Sequence, residues 1–230
     1  MHIMKTGGTT FTKHIQANFP TAAVFPGPGK TIERRRGYFI VDELRRIRPE
    51  RRRSIRVYTG HFPFVASQLV DADVTLAILR DPVSRTLSLL RDSKRHDSRM
   101  TDMSLEEIYD DPWMHAVRIR DYQAKLFAMT LADEPVSELD VFDVDERRLE
   151  VALAHLERLD VLGLHDRYDE FLATMRDHYG WKIGDVPNMR VSTGEWEIPP
   201  HLPERIAADN AADMALYDHA RKLYDQRRYG

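Results

Sequence analysis

With 230 residues and 42% hydrophobic content, the chain is long enough for one real α/β core, expected as a single domain over 1–230. A net charge of −3 and a pI near 6.4 argue against a dedicated nucleic-acid binder. The lack of cysteine excludes disulfides, thiolate zinc sites and cysteine nucleophiles.

The chain opens Met1-His2-Ile3-Met4-Lys5-Thr6-Gly7-Gly8-Thr9-Thr10-Phe11. His2-Ile3-Met4 reads as the end of a strand, Gly7-Gly8 as a turn free of any Cβ penalty, and Thr9 or Thr10 as a helix cap. Phe11, Ile15 and Phe19 recur every four residues and line one helical face. A strand, a glycine turn and a helix N-terminus make an anion site, because free N–H groups and the helix dipole point at the same spot. Lys5 adds a full positive charge, with threonine hydroxyls beside it. The strand is unusually short, which leaves open a true start upstream of Met1. The nucleotide triphosphatase loop G-x-x-x-x-G-K-[ST] is not matched, since here the lysine precedes the glycines. Gly27-Pro28-Gly29-Lys30-Thr31 ends like that loop but has Val24 where its first glycine belongs, and reads as a turn.

Ala22 to Phe25 is a short strand candidate, and Tyr38 to Ile47 has a helical pattern with Phe39, Leu44 and Ile47 inward. Ten arginines against three acids give Arg34 to Arg56 a balance of 10 − 3 = +7. They read as solvated helix ends or as a basic rim for an anionic acceptor. Ile55 to Tyr58 alternates as a strand and ends at Thr59-Gly60-His61; a short helix follows from Pro63 to Val70. Val74 to Leu79 is a continuous apolar run suited to a buried parallel strand. Arg80-Asp81-Pro82 ends it, and Pro82 fits the first turn of a helix with Leu87, Leu90 and Val83 inward. Ser104 and Glu107 form a capping-box pattern. Helices are predicted over Pro112 to Leu131, Asp145 to Arg158, Tyr168 to Tyr179 (closed by Gly180) and Pro203 to Tyr224, with Val161 to Leu164 as a strand. The fold class is therefore α/β with a helix-rich C-terminal half.

Two segments carry the chemistry. Lys5-Thr6-Gly7-Gly8-Thr9-Thr10 resembles the 5′-phosphosulfate loop of sulfotransferases that use 3′-phosphoadenosine 5′-phosphosulfate (PAPS), closest to the glycan-modifying branch with P-K-T-G/A-G-T-[ST]; Met4 departs from its proline. Arg80-Asp81-Pro82-Val83-Ser84-Arg85-Thr86-Leu87-Ser88 resembles the 3′-phosphate motif of the same family, R-D-P-x-x-R-x-x-S in shape. The resemblance implies a three-layer P-loop-like fold with a central parallel sheet flanked by helices. It also implies PAPS as cosubstrate, no metal, and a hydroxyl acceptor, of a carbohydrate or small metabolite. Cofactor contacts would come from Lys5, Thr6, Gly7, Gly8, Thr9 and Thr10 at one end, and from Arg80 and Ser88 at the other. Asp81, Pro82 and Arg85 would be mainly structural. His61 is the candidate base, after a strand end as in the family's G-H, and Lys5 stabilises the leaving phosphate. More loosely, Asp121 to Leu126 resembles the family's N-x-Q-x-R-x-L helix, Leu162 to Asp169 its strand followed by G-x-x-E-R-F, and Asn188 to Gly194 its late loop, where Ser192 and Thr193 would touch the nucleotide. No membrane span or signal peptide is visible, so a soluble cytoplasmic enzyme is expected. A P-loop kinase and a non-catalytic nucleotide or sulfated-glycan binder are the competing readings.

Overall fold

The structure is a computed structural model that describes residues 1, 3–26, 44–70, 72–133, 142–184 and 197–229. Helix α1 (Gly8–Asn18) leads through a 3₁₀ turn to strand β1 (Val24–Phe25). Helix α2 (Pro49–Ser54), strand β2 (Val57–Tyr58), a 3₁₀ turn over Phe64–Ala66 and helix α3 (Ser67–Val70) come next. Strand β3 (Leu76–Leu79) hands over to helix α4 (Pro82–His96). Helices α5 (Leu105–Asp110), α6 (Pro112–Met114), α7 (Tyr122–Ala128) and α8 (Glu146–Glu157) precede strand β4 (Val161–Leu164). Helices α9 (Tyr168–Tyr179), α10 (Leu202–Asp209) and α11 (Ala211–Tyr229) complete the order.

Among the described residues the strands form two small parallel sheets, β1–β2 and β3–β4. In the second, Leu76 to Leu79 pair in register with Val161 to Leu164. Both strands are almost wholly buried and apolar, as a parallel strand covered on two faces requires. Helices α7, α8 and α11 pack over one side through Leu126, Phe127, Leu156, Leu216 and Tyr217. On the other side α1 and α9 meet Ile78 and Val161 through Phe11, Ile15 and Phe171. Gly163 permits that approach: a Cβ there would stand 2.7 Å from the Phe171 ring.

Several sequence expectations are corrected. Ala22 to Phe25, Ile55 to Tyr58 and Val74 to Leu79 shrink to the short strands β1, β2 and β3. Met1, Ile3 and Met4 form no strand; His2 lies outside the described residues. Gly7, not Thr9 or Thr10, is the N-cap of α1, at φ 90°, with no side-chain cap. On α4 the buried apolar positions are Leu89 and Leu90, while Leu87 and Val83 are only partly buried. The helix expected from Pro112 to Leu131 is broken by a π-helical turn over His115–Ile119 and by Asp121 at φ 49°. The break is held from the far end of the chain. The Asp121 N–H donates to the Asn210 side chain at 2.9 Å, and Asp121 Oδ1 accepts from the Asp213 N–H at 3.0 Å. In return Asp213 Oδ1 accepts from the Ala124 N–H at 2.6 Å.

The arginine run of α2 is neither a solvated end nor a free rim at Arg51 and Arg52. Arg51 donates to the carbonyls of Ala22 and Val24. Arg52 donates to those of Leu69 and Leu44, both at 2.7 Å. The capping box at Ser104 and Glu107 and the left-handed Gly180 closing α9 are present as expected. So is the Asp81–Pro82 start of α4, where Asp81 accepts from the Ser84 N–H at 2.7 Å. The segments 27–43, 134–141 and 185–196 lie outside the described residues, including the expected Gly27–Thr31 turn and most of the Tyr38–Ile47 helix.

Candidate anion site at the Lys5 loop

Residues 4 to 7 turn sharply into α1. Lys5 sits at φ 67°, a left-handed conformation that costs a non-glycine residue about 1–2 kcal/mol. Such strain persists only where surroundings enforce it. Here they do. The Lys5 carbonyl accepts from Arg80 Nη1 at 3.1 Å, and its ammonium lies 3.0 Å from Asp92 Oδ1. Thr6 is buried, and its hydroxyl donates inward to the Ile3 carbonyl at 2.9 Å. Thr6 therefore offers a ligand its backbone N–H rather than its hydroxyl. The first-turn N–H groups of α1, at Gly8, Thr9 and Thr10, have no intrahelical acceptor, no side-chain cap and no acidic neighbour in the turn. That is the electrostatic condition for binding an anion.

Arg80 leaves β3 at its carboxyl end, and its backbone is fixed from α7. The Arg80 N–H donates to Gln123 Oε1 at 3.1 Å, and Gln123 Nε2 donates to the Arg80 carbonyl at 2.8 Å. Gln123 is fully buried. Burial holds the Arg80 guanidinium below its ordinary pKa; Asp81 opposes that, and Arg85 and Arg91 reinforce it. Arg85 itself is fully buried and donates to the Arg118 and Ile119 carbonyls at 3.0 and 3.2 Å, stapling α4 to the π turn. Ser88 lies on α4 one turn before Asp92, on the face turned to Lys5.

The corner between β4 and α9 roofs the loop. A Cβ on Gly7 would stand 3.2 Å from the Tyr168 ring and 3.6 Å from His165 Cδ2, so glycine is needed for closeness as well as for its φ of 90°. Burial, aided by Arg80, drives the His165 pKa down to about 4, so its imidazole is neutral at pH 7; Asp166 opposes the shift. The Tyr168 hydroxyl is buried, and burial raises its pKa.

Of the sequence-predicted residues, the fold unites Lys5, the Thr6–Thr10 amides and Arg80, with Ser88 on the adjoining helix face. His61 is half-buried two residues beyond Thr59, and Thr59 shares a cavity wall with Thr6 and Gly8. Ser192 and Thr193 lie outside the described residues. Sequence reasoning missed Asp92, Gln123, His165 and Tyr168 as parts of the site. Gln123, His165 and Tyr168 fall in segments already singled out, and Asp92 follows Ser88 by one helical turn. Among the described residues, no three His, Cys, Asp or Glu side chains gather as metal ligands, and no helix is long and apolar enough to cross a membrane. No protein-family model and no curated protein matches the chain.

Proposed function

We propose that the chain is a PAPS-dependent sulfotransferase acting on a hydroxyl of a carbohydrate or small metabolite. The observation that carries this reading is the 3.1 Å contact between the Arg80 guanidinium and the Lys5 carbonyl. It supports the reading by bringing the Arg80 guanidinium to the Lys5 loop, as a single site for both ends of one bisphosphorylated nucleotide would require. An anionic occupant would offset the burial that disfavours the Arg80 cation. The fold proposed with this function is a single three-layer P-loop-like domain around one central parallel sheet. No metal enters the reading.

In this assignment the amides of Thr6 to Thr10 hold the 5′-phosphosulfate oxygens, and Arg80 and Ser88 hold the 3′-phosphate. Ser192 and Thr193 are assigned to the nucleotide as well. Gln123 keeps Arg80 aimed, and Asp92 holds the Lys5 ammonium at the loop until a ligand competes for it. When bound, PAPS supplies an activated sulfuryl group. The acceptor oxygen forms a bond to sulfur as the bond from sulfur to the phosphate oxygen breaks. The acceptor proton passes to His61, and Lys5 meets the electron pair left on the phosphate oxygen. Positioning and charge stabilisation carry most of the rate, as in phosphoryl transfer.

The Lys5–Asp92 ion pair favours one second reading, a nucleotide binder that does not transfer. A radiolabelled sulfuryl-transfer assay over a panel of hydroxyl acceptors separates the two. Transfer that is lost in Lys5→Ala and lowered in His61→Ala, with binding of 3′-phosphoadenosine 5′-phosphate (PAP) retained in the latter, supports the enzyme. Tight PAP binding with no transfer to any acceptor supports the binder. Phosphoryl transfer from ATP with magnesium would instead mark a kinase.

A further inference from the structure

Between α4, α7 and α11 lies a buried polar core of which the assignment above uses only Gln123. Arg85 of α4, Gln123 of α7, and Asn210 and Asp213 at the elbow between α10 and α11 are fully buried. Buried polar groups are costly unless they are bonded, so each bond here matters. Asn210 Nδ2 donates to the Ile206 carbonyl at 2.8 Å, and Asn210 Oδ1 accepts from the Asp121 N–H at 2.9 Å. Asp213 Oδ1 accepts from the Ala124 N–H at 2.6 Å, and the Gln123 N–H also bonds to that carboxylate. The Arg85 guanidinium lies over the Tyr122 ring, 4.9 Å from its centre.

Helix α7 does not cap its own start. Its N-cap residue, Asp121, stands at φ 49° and makes no side-chain cap, and its first turn holds no acid. The orphan N–H groups of a first turn need acceptors. A carboxylate from α11 supplies them, and its charge suits the positive end of the helix. A well-packed apolar side chain at 213 would escape the desolvation of a buried charge. Burial raises the Asp213 pKa to about 6; the Arg85 charge does most to oppose it, so the carboxylate is largely ionised at pH 7. What the charge gains is position. Gln123 receives Asp213 on its backbone and passes the constraint on with its side chain, which grips the Arg80 N–H and carbonyl at 3.1 and 2.8 Å. Hydrogen bonds weaken steeply as their angles open. A shifted α7 start would therefore let Arg80 turn away from the Lys5 carbonyl, which lies 3.1 Å from its guanidinium.

We propose that Asp213 is a positioning residue for Arg80. From α11 it fixes the start of α7, and through Gln123 it sets the direction of the Arg80 guanidinium toward the Lys5 loop. Selectivity for a 3′-phosphate then depends on a buried carboxylate of the C-terminal helix. The selectivity rests on the sulfotransferase reading; the mechanical link from Asp213 to Arg80 does not.

The test compares wild type with Asp213→Leu, which removes both acceptor oxygens, and Asp213→Asn, which keeps one. Leu44→Ala, in the separate core cluster with Phe25 and Ile55, serves as a control for lost stability alone. Hydrogen exchange at the Arg80 amide reads the Gln123 clamp without any ligand. Titration with PAP and with AMP, at a temperature where every variant is folded, reads selectivity. Asp213→Leu should speed Arg80 exchange by at least about tenfold and cut the PAP-to-AMP affinity ratio by about tenfold. Asp213→Asn should recover most of both, and Leu44→Ala should melt lower but change neither. Unchanged Arg80 exchange in Asp213→Leu overturns the proposal, as does faster exchange that Leu44→Ala reproduces. A ratio that stays at the wild-type value while exchange speeds up overturns the claim on selectivity. Should Asp213→Leu not fold, Asp213→Glu moves the acceptor by one methylene and must speed Arg80 exchange instead; unchanged exchange there overturns the proposal too. A wild type that does not prefer PAP to AMP would sink the sulfotransferase reading, and the exchange rates would still decide whether Asp213 positions Arg80.

Discussion

Replacing Gln123 with leucine tests how Arg80 is aimed. The side chain is fully buried and makes both a donor and an acceptor contact with the Arg80 backbone, at 2.8 and 3.1 Å. Leucine is close in size but removes both bonds and strands one buried N–H and one buried carbonyl. An unsatisfied buried group costs about 1–3 kcal/mol, so the pair should cost about 3 kcal/mol in all. For a domain of this size that corresponds to a fall in melting temperature of roughly 6–12 °C. Gln123→Glu keeps the acceptor for the Arg80 N–H but loses the donor to its carbonyl, and should fall between wild type and Gln123→Leu. Scanning calorimetry reads the stability, and isothermal titration with PAP reads the site. PAP affinity should drop in Gln123→Leu at temperatures well below its melting point. If Gln123→Leu melts and binds PAP like wild type, the two-point clamp does not position Arg80.

Three further predictions bear on neighbouring parts of the site and its support. His165 is held neutral with a pKa down at about 4, below its ordinary 6.5, so the unfolded chain binds the extra proton first. Its contribution is complete above pH 6.5 and is lost as the pH falls toward 4; chemical denaturation should therefore lose stability across that window more steeply in wild type than in His165→Phe, and equal slopes would refute the burial argument. Gly163→Ala places a Cβ 2.7 Å from the Phe171 ring and 3.1 Å from Ile78, and should destabilise by about 1–3 kcal/mol through overpacking, read from the denaturation midpoint. Asp92→Asn removes the carboxylate 3.0 Å from the Lys5 ammonium. At about 0.2–1 kcal/mol for such a pair, PAP should bind up to roughly fivefold tighter at low salt, and weaker binding would show that Asp92 holds Lys5 in its productive place.

What was legible in the sequence is what is local. Glycines after Lys5, a helix face of Phe11 and Ile15, and the Asp81–Pro82 helix start each depend on a few adjacent residues. Those features locate the Lys5 loop and the β3–α4 corner. The break in the helix expected from Pro112 was not legible, because its cause lies about ninety residues away in the side chains of Asn210 and Asp213. Arg51 and Arg52 looked like surface charge, yet each finds backbone carbonyls supplied by other segments of the fold. His165 lay in a singled-out segment, but its place against Gly7 follows from where β4 ends rather than from its neighbours. A central parallel sheet was expected from several short apolar runs, but the described strands pair two by two, β1 with β2 and β3 with β4, and no single run shows which neighbour it will pair with.

The most direct test is a thermal-shift titration of wild type and Arg80→Ala with PAP, PAPS, ATP and AMP. Joined cradles predict that PAP and PAPS stabilise wild type far more than AMP, which lacks the 3′-phosphate, and that this advantage vanishes in Arg80→Ala. Equal stabilisation by PAP and AMP, or an advantage that survives loss of Arg80, would contradict a single site spanning Lys5 and Arg80.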